Sequence, residues 1–207
     1  MKVLLINGSP HEKGCTYTAL SEVAKSLESC GVEAEIVHIG TAPVQGCIAC
    51  GGCAKTGRCA YTKDKLNDIM EIAEKADGLI VGSPVHYAAA AGAVSSLLDR
   101  MFTAIPDKLA YKPAACVVSC RRGGASAAFD ELNKYFTINK MPVVASQYWN
   151  SVHGACPEDV LKDEEGLQIM RVLGRNMAWL LKCIEAGKAA GVPMPEQEEH
   201  LWTSFIR

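Results

Sequence analysis

The sequence has no dominant charge. Its 21 basic and 23 acidic side chains leave a formal net charge of −2 across 207 residues. That balance removes the electrostatic case for bulk nucleic-acid or anionic-membrane binding. It also has no apolar run near the ~18 residues a bilayer-spanning helix needs, so no membrane contact is expected. At the N-terminus, Met1-Lys2 precede only four apolar residues before Asn7-Gly8-Ser9-Pro10. Such a segment is too short for a signal-peptide core, and the reading expects a cytoplasmic chain that starts at Met1. No internal repeat or interdomain linker is found. With 49% apolar and 21% charged residues, disorder and fibrous repeats do not fit the composition. The length suits one α/β domain with appendages.

What the sequence has in excess is cysteine. Ten are present, four of them (Cys47, Cys50, Cys53 and Cys59) within 13 residues. Cys15, Cys30, Cys116, Cys120, Cys156 and Cys183 are scattered and can serve as small hydrophobes. Without a signal peptide a disulfide scaffold is not indicated, whereas a dense cytosolic cluster points to metal or redox work.

Apolar runs alternate with amphipathic stretches. Val3-Leu4-Leu5-Ile6 reads as a strand buried on both faces. Ala19, Leu20, Val23, Ala24 and Leu27 follow with helical spacing, and Gly31 is placed to end that helix. A second strand spans 33–39, and a Pro/Gly/Cys-rich stretch at 43–62 has no periodicity. Leu66, Ile69, Met70 and Ile72-Ala73 mark a short helix. Further strands are expected at 79–81, 114–118 and 142–145, separated by helices at 93–102 and about 126–138. Asp163 is placed to cap a long final helix. Strands alternating with crossover helices predict a doubly wound, five-stranded parallel sheet with helices on both faces, spanning 1–190. The tail 191–207 carries Leu201, Trp202, Phe205 and Ile206 and is expected to dock on its own sheet or on a second subunit.

Ligands in open α/β sheets sit beyond the carboxyl ends of the strands. The first such loop, Asn7-Gly8-Ser9-Pro10-His11-Glu12-Lys13-Gly14-Cys15-Thr16, combines glycines, hydroxyls and a helix start suited to a phosphate. It is neither GxGxxG nor a P-loop. The alternative is an ordinary strand-to-helix turn capped by Thr16. After the third strand, Gly82-Ser83-Pro84-Val85-His86-Tyr87 could wall a flat ligand, or merely cover the core. After the fourth, Ser119-Cys120-Arg121-Arg122-Gly123-Gly124 places tandem arginines where an anion or a reduced cofactor could meet them. A solvated glycine turn explains the same residues. Gln147-Tyr148-Trp149-Asn150-Ser151-Val152-His153-Gly154 could shape a substrate pocket. The run Cys47-x2-Cys50-x2-Cys53-x5-Cys59 has the compact spacing that [4Fe–4S] clusters favour. Zinc, which usually takes two separated pairs, and a tight loop of free thiols or a disulfide remain open.

Taken in order, these pieces resemble the flavodoxin-fold NAD(P)H-dependent FMN reductases, in the branch that contains the iron–sulfur flavoproteins and multimeric flavodoxins. The resemblance rests on Gly8-Ser9-Pro10 with Gly14-x-Thr16, on the compact cysteine motif and on the stretch Ala76-Asp77-Gly78-Leu79-Ile80-Val81-Gly82-Ser83-Pro84-Val85-His86-Tyr87. Leu98-Asp99-Arg100 completes it. It implies an FMN-binding domain with a Cys-rich insertion at 43–62. Ser9, His11, Lys13, Cys15 and Thr16 would surround the FMN phosphate. Pro84, Val85, His86 and Tyr87 would line the isoalloxazine, with Ser119, Arg121, Arg122, Gly123 and Gly124 on its other side. The family often has Arg where this chain has His11, Asn where it has Cys15, and two acidic residues where it has Lys63-Asp64-Lys65.

The implied activity is hydride transfer from NAD(P)H to flavin and onward to a flat acceptor, a quinone or free flavin. No nucleophile or general base is then required, because the cofactor carries the chemistry. His86 and Tyr87 are the candidates to touch substrate. The alternative activity is an electron carrier whose [4Fe–4S] cluster, held by Cys47, Cys50, Cys53 and Cys59, exchanges single electrons with a ferredoxin. The resemblance also implies a homodimer or homotetramer.

Overall fold

In the computed structural model, residues 1–205 are described. The chain runs β1 (Lys2–Asn7), α1 (Cys15–Ser29), β2 (Glu33–His38), α2 (Cys53–Thr56), α3 (Leu66–Lys75), β3 (Gly78–His86) and β4 (Ala89–Ala90). It continues α4 (Gly92–Ala104), α5 (Pro106–Leu109), β5 (Ala114–Cys120), α6 (Ala125–Ile138), β6 (Ser151–His153), α7 (Pro157–Val160) and α8 (Glu164–Ala189). The principal strands pair in parallel in the order β2-β1-β3-β5-β6, and the two-residue β4 folds back antiparallel on β3. This is the doubly wound architecture that the alternation of apolar and amphipathic segments predicts.

The strand sequences explain the two cores. Val3 and Leu5 of β1 join Ile80, Ala115 and Val117 against α1 and α8. Leu4 and Ile6 point the other way, into a core with Leu79, Val81, Cys116 and the apolar faces of α3, α4 and α6. A strand packed on both faces needs an unbroken apolar run, because alternate side chains serve opposite layers. Burial pushes the Cys116 thiol far up, in keeping with its being an inert core residue. At the end of α1, Gly31 takes φ +76° and its N–H bonds Glu28 O at 2.9 Å. Asp163 caps α8 by accepting the Gly166 N–H at 2.9 Å.

One expectation changes. The fifth strand is not the run at 142–145, where Val143 makes only an isolated parallel bridge to Ala114. Pro142 has no N–H to give, and the chain swings out before Ser151–His153 returns as β6 alongside β5. The tail meets the domain at Gln197, whose side chain donates to the Tyr111 hydroxyl and accepts from Lys140 Nζ, both at 2.6 Å, while Leu201 and Trp202 are each 87% exposed and Phe205 is fully exposed. Ile206 lies outside the described residues.

Candidate functional site

β1, β3, β5 and β6 all end on one edge, and the sheet order reverses between β1 and β3. The loop 8–14 leaves β1 at that switch point and is closed by its own groups. The buried Asn7 donates from Nδ2 to Glu12 O at 2.9 Å and accepts the Ser9 N–H at Oδ1 at 3.2 Å. Ser9 Oγ accepts the His11 N–H at 3.1 Å, and the Gly14 N–H reaches His11 O at 3.2 Å. From outside, His38 Nε2 donates to Ser9 O at 2.8 Å. α1 then begins with Gly14 as its N-cap, without a side-chain cap and without an acidic residue in its first turn. Uncapped first-turn N–H groups and the positive end of the helix dipole favour an anion there.

An open cavity of about 570 Å³ lies over this loop, with Pro10, His11, Lys13, Gly14 and Cys15 on one side. Ala155, Cys156 and Pro157 line the other side. Cys15 Sγ bonds Gly154 O at 3.7 Å, and burial raises its thiol pKa. Thr16 does not cap the helix; its hydroxyl is buried 2.8 Å from Ser119 Oγ and ties α1 to β5.

The neighbouring loops are drawn in by close backbone approach. The Gly8 N–H donates to Gly82 O at 2.9 Å, and a Cβ on Gly8 would lie 2.1 Å from Val94 Cγ2. Pro84 and Val85 are half-buried at the end of β3, followed by exposed His86. His86 pairs with Ala89, so Tyr87-Ala88 form a two-residue hairpin turn with φ +50° and +61°. Positive φ at both centres is the type I′ signature, usually reserved for Asn and Gly. The Tyr87 ring is thereby fully exposed beside the switch point. Gly124, at φ +91°, is pressed on this hairpin; a Cβ there would lie 2.6 Å from Ala88 Cα. Arg121, Arg122 and Gly123 are exposed on the same loop. Beyond β5, Tyr148 and Trp149 are exposed and contact each other edge-on at 4.6 Å. His153 is exposed, and its backbone N–H is held by Asp163 at 2.7 Å. The three loops from β1, β3 and β5 are thus brought together as the spacing suggests.

The four clustered cysteines stand apart from this edge, in the irregular segment after β2. All four line one cavity of about 230 Å³, with Ile48, Tyr61, Arg100 and Thr103 among its other walls. Ala49, Gly51 and Gly57 take positive φ as the chain winds around it, and α2 starts at Cys53, whose Sγ lies 3.9 Å from Thr103 O. Cys59 is clamped by Asn67, which accepts its N–H and donates to its carbonyl, both at 3.0 Å.

Sequence reasoning missed what anchors this segment. Arg100 forms a bidentate ion pair with Asp64, their side chains only 2% and 4% exposed. Burial alone would raise the Asp64 carboxyl. Hydrogen bonds from Arg100 and from the Leu66 and Gln45 N–H groups hold it below its ordinary value instead. Arg100 had a visible signal: it stands between Leu97 and Met101 on the buried face of α4. Asp64 had none.

Comparison with known proteins settles the lineage. The NADPH-dependent FMN reductase family profile matches residues 1–155. The chain belongs to this family. Among curated relatives, an iron–sulfur flavoprotein of Methanocaldococcus jannaschii is 29% identical over 196 residues, covering 89% of this chain and all of the relative. An iron–sulfur flavoprotein of Archaeoglobus fulgidus is 31% identical over 170 residues, covering 80% and 83% of the two chains. Among solved structures, a flavodoxin from the domain Archaea superposes with a TM-score of 0.61 at 15% identity, over 88% of this chain and 99% of its own. This family member is a flavin oxidoreductase with a flavodoxin-like fold. Among its described residues no helix is long and apolar enough to cross a membrane.

Proposed function

We propose that this protein binds FMN at the loop edge of the sheet and acts as an NAD(P)H-dependent oxidoreductase toward a flat acceptor, a quinone or free flavin. The observation that carries this reading is the self-closed loop 8–14 opening on an uncapped α1 and clasped to β3, whose terminal hairpin holds an aromatic ring in the open. The residues fit the cofactor. Main-chain N–H groups at the start of α1, with His11 and Lys13, would take the phosphate. Ser9, Cys15 and Thr16 shape the cradle, and their polar atoms already bond within the protein. Pro84, Val85, His86 and Tyr87 would line one side of the ring system; Ser119, Arg121, Arg122, Gly123 and Gly124 would line the other. When bound, FMN supplies a centre that accepts hydride from a nicotinamide and returns electrons to the acceptor. The protein's own work is to fix the ring, hold the phosphate and leave one face open to His86 and Tyr87.

A second reading is favoured by the shared cysteine cavity: an iron–sulfur flavoprotein whose [4Fe–4S] cluster trades single electrons with a ferredoxin. A single zinc would draw four sulfurs to roughly 3.8 Å from one another, given Zn–S bonds near 2.3 Å. A cubane keeps its four sulfurs farther apart around a bowl, which suits four cysteines lining one cavity. We further place the protein in the cytoplasm as a homodimer or homotetramer in which the exposed tail docks on a partner subunit. Light scattering of the full chain and of residues 1–190 tests that assembly.

The deciding experiment is anaerobic purification, a visible spectrum, and iron and flavin quantification, followed by NADH and NADPH oxidation with a quinone. FMN and turnover are expected. A colourless protein that takes up no FMN on reconstitution ends both readings, and FMN without iron ends the carrier.

A further inference from the structure

The guanidinium of Arg100 uses all five of its N–H groups, and only one of them points at sulfur. The two Nη2 protons go to Tyr61 O at 3.0 Å and Asp64 Oδ1 at 3.2 Å. Nη1 donates to Gln45 O at 3.1 Å and to Asp64 Oδ2. Nε–H donates to Cys59 Sγ at 3.2 Å. The Tyr61 ring lies 5.2 Å from the guanidinium carbon. Asp64 is itself held by the Gln45 and Leu66 N–H groups, each at 3.3 Å. One rigid fork on α4 therefore joins three points of the segment that carries the cysteines, at residues 45, 59–61 and 64. A lysine could supply the charge but not this geometry.

We infer that Arg100 is the positioning residue of the Cys47–Cys59 site, holding Cys59 Sγ through Nε–H and setting the redox potential of the group bound there. The inference rests on the iron–sulfur reading of the four cysteines. Hydrogen bonds to the sulfurs and the net local charge are what tune such potentials, and a partner behind the ligand fixes its direction. Adding an electron to the site increases negative charge on its sulfurs. An N–H donor and a cation beside one of them stabilise that reduced form, while the Asp64 carboxylate opposes it.

The two members of the pair should therefore act with opposite sign. The test compares the anaerobic, flavin-loaded wild type with Asp64→Asn and with the double variant Asp64→Asn/Arg100→Gln. The double variant is buried but neutral, so it leaves no unpaired charge behind. Iron per chain is counted first, and the potential is then read by electron paramagnetic resonance during a redox titration. Asp64→Asn should raise the potential. Adding Arg100→Gln should lower it from there by at least a tenfold change in the redox equilibrium, about 59 mV for one electron. If Asp64→Asn does not fold, the double variant should still fall below wild type. Retained flavin with lost iron in the double variant also supports the positioning role. Potentials that coincide, or that both fall from wild type, overturn the inference and leave the iron–sulfur reading standing. A wild type without iron overturns both.

Discussion

Loop 8–14 and segment 43–62 both follow the carboxyl end of a parallel strand, and both are irregular, yet they are fixed by different means. The first is closed by bonds among its own residues and clasped to β3 through the Gly8–Gly82 contact. The second winds through positive-φ residues around a cavity and is moored to the domain by side chains, the buried Arg100 at three points and Asn67 at Cys59. A site assembled from backbone survives side-chain change, since the N–H groups remain whatever the residue. A site moored by a few side chains is exposed to the loss of any one that ties several points together, as Arg100 does.

Arg100→Ala is accordingly the most damaging single substitution expected. It leaves the Asp64 carboxylate buried without its partner, a change that costs about 3–5 kcal/mol. The more accessible pair Arg171–Glu22, at 2.8 Å with side chains 42% and 19% exposed, provides the contrast. Arg171→Ala should cost under about 1 kcal/mol. Urea unfolding of both variants checks this, and equal losses would show that the Arg100–Asp64 pair does not moor the segment.

The same pair predicts a pH dependence. The folded Asp64 carboxyl lies below its ordinary value of 3.8, so the unfolded chain binds its proton first as pH falls. The pair's contribution is then complete above that ordinary value and is lost as pH drops through the lower, folded one. Thermal midpoints of wild type and Asp64→Asn measured from pH 6 to pH 3 should converge toward the acid end. Parallel curves would mean that this carboxyl is not held low.

Within loop 8–14 the expected damage is steric and smaller. Gly8→Ala would place a Cβ 2.1 Å from Val94 Cγ2 and 2.7 Å from Gly82 O. Overpacking of this kind costs about 1–3 kcal/mol and would push apart the two loops that flank the proposed phosphate site. Weaker FMN binding by fluorescence titration should accompany the loss of stability. Gly51→Ala, in the cysteine segment at φ +69° with nothing within 4 Å, should cost only the left-handed penalty of about 1 kcal/mol. FMN affinity should be untouched there. A Gly8→Ala variant that binds FMN normally would mean that the clasp does not shape the site.

The fold and the loop edge were legible because their signals are local and redundant. β1 declares itself by four consecutive apolar residues with both faces packed, and α8 by Asp163 ahead of an amphipathic run. The fifth strand was misplaced because the apolar run at 142–145 outweighs Ser151-Val152-His153, whose only fully buried apolar side chain is Val152. Pairing at an edge is decided by which backbone reaches β5, and hydrophobicity does not report that. The mooring of the cysteine segment was hidden for another reason. Asp64 and Arg100 are 36 residues apart, and no spacing rule joins a loop carboxylate to a helix guanidinium. The Tyr87-Ala88 turn lacks the Asn-Gly signal altogether.

That turn supports the finest comparison, between backbone and ring at a single hairpin. Ala88 sits at φ +61°, a conformation costing an L-residue about 1–2 kcal/mol. Glycine removes that strain and gives back part of the gain through the greater freedom of the unfolded chain. Ala88→Gly should therefore stabilise by under about 1 kcal/mol, raising the melting midpoint by roughly 2–4 °C at most for a domain of this size. Tyr87→Gly, at φ +50°, should stabilise similarly, because its fully exposed ring packs on nothing that would be lost. The two variants should part at the flavin. Ala88→Gly keeps the ring and should keep FMN affinity, whereas Tyr87→Gly should weaken FMN binding or raise the KM for the acceptor. If both variants retain wild-type affinity and turnover, the exposed tyrosine is no part of the flavin wall. If both lose them equally, the strained backbone is what the site requires, and the ring is incidental.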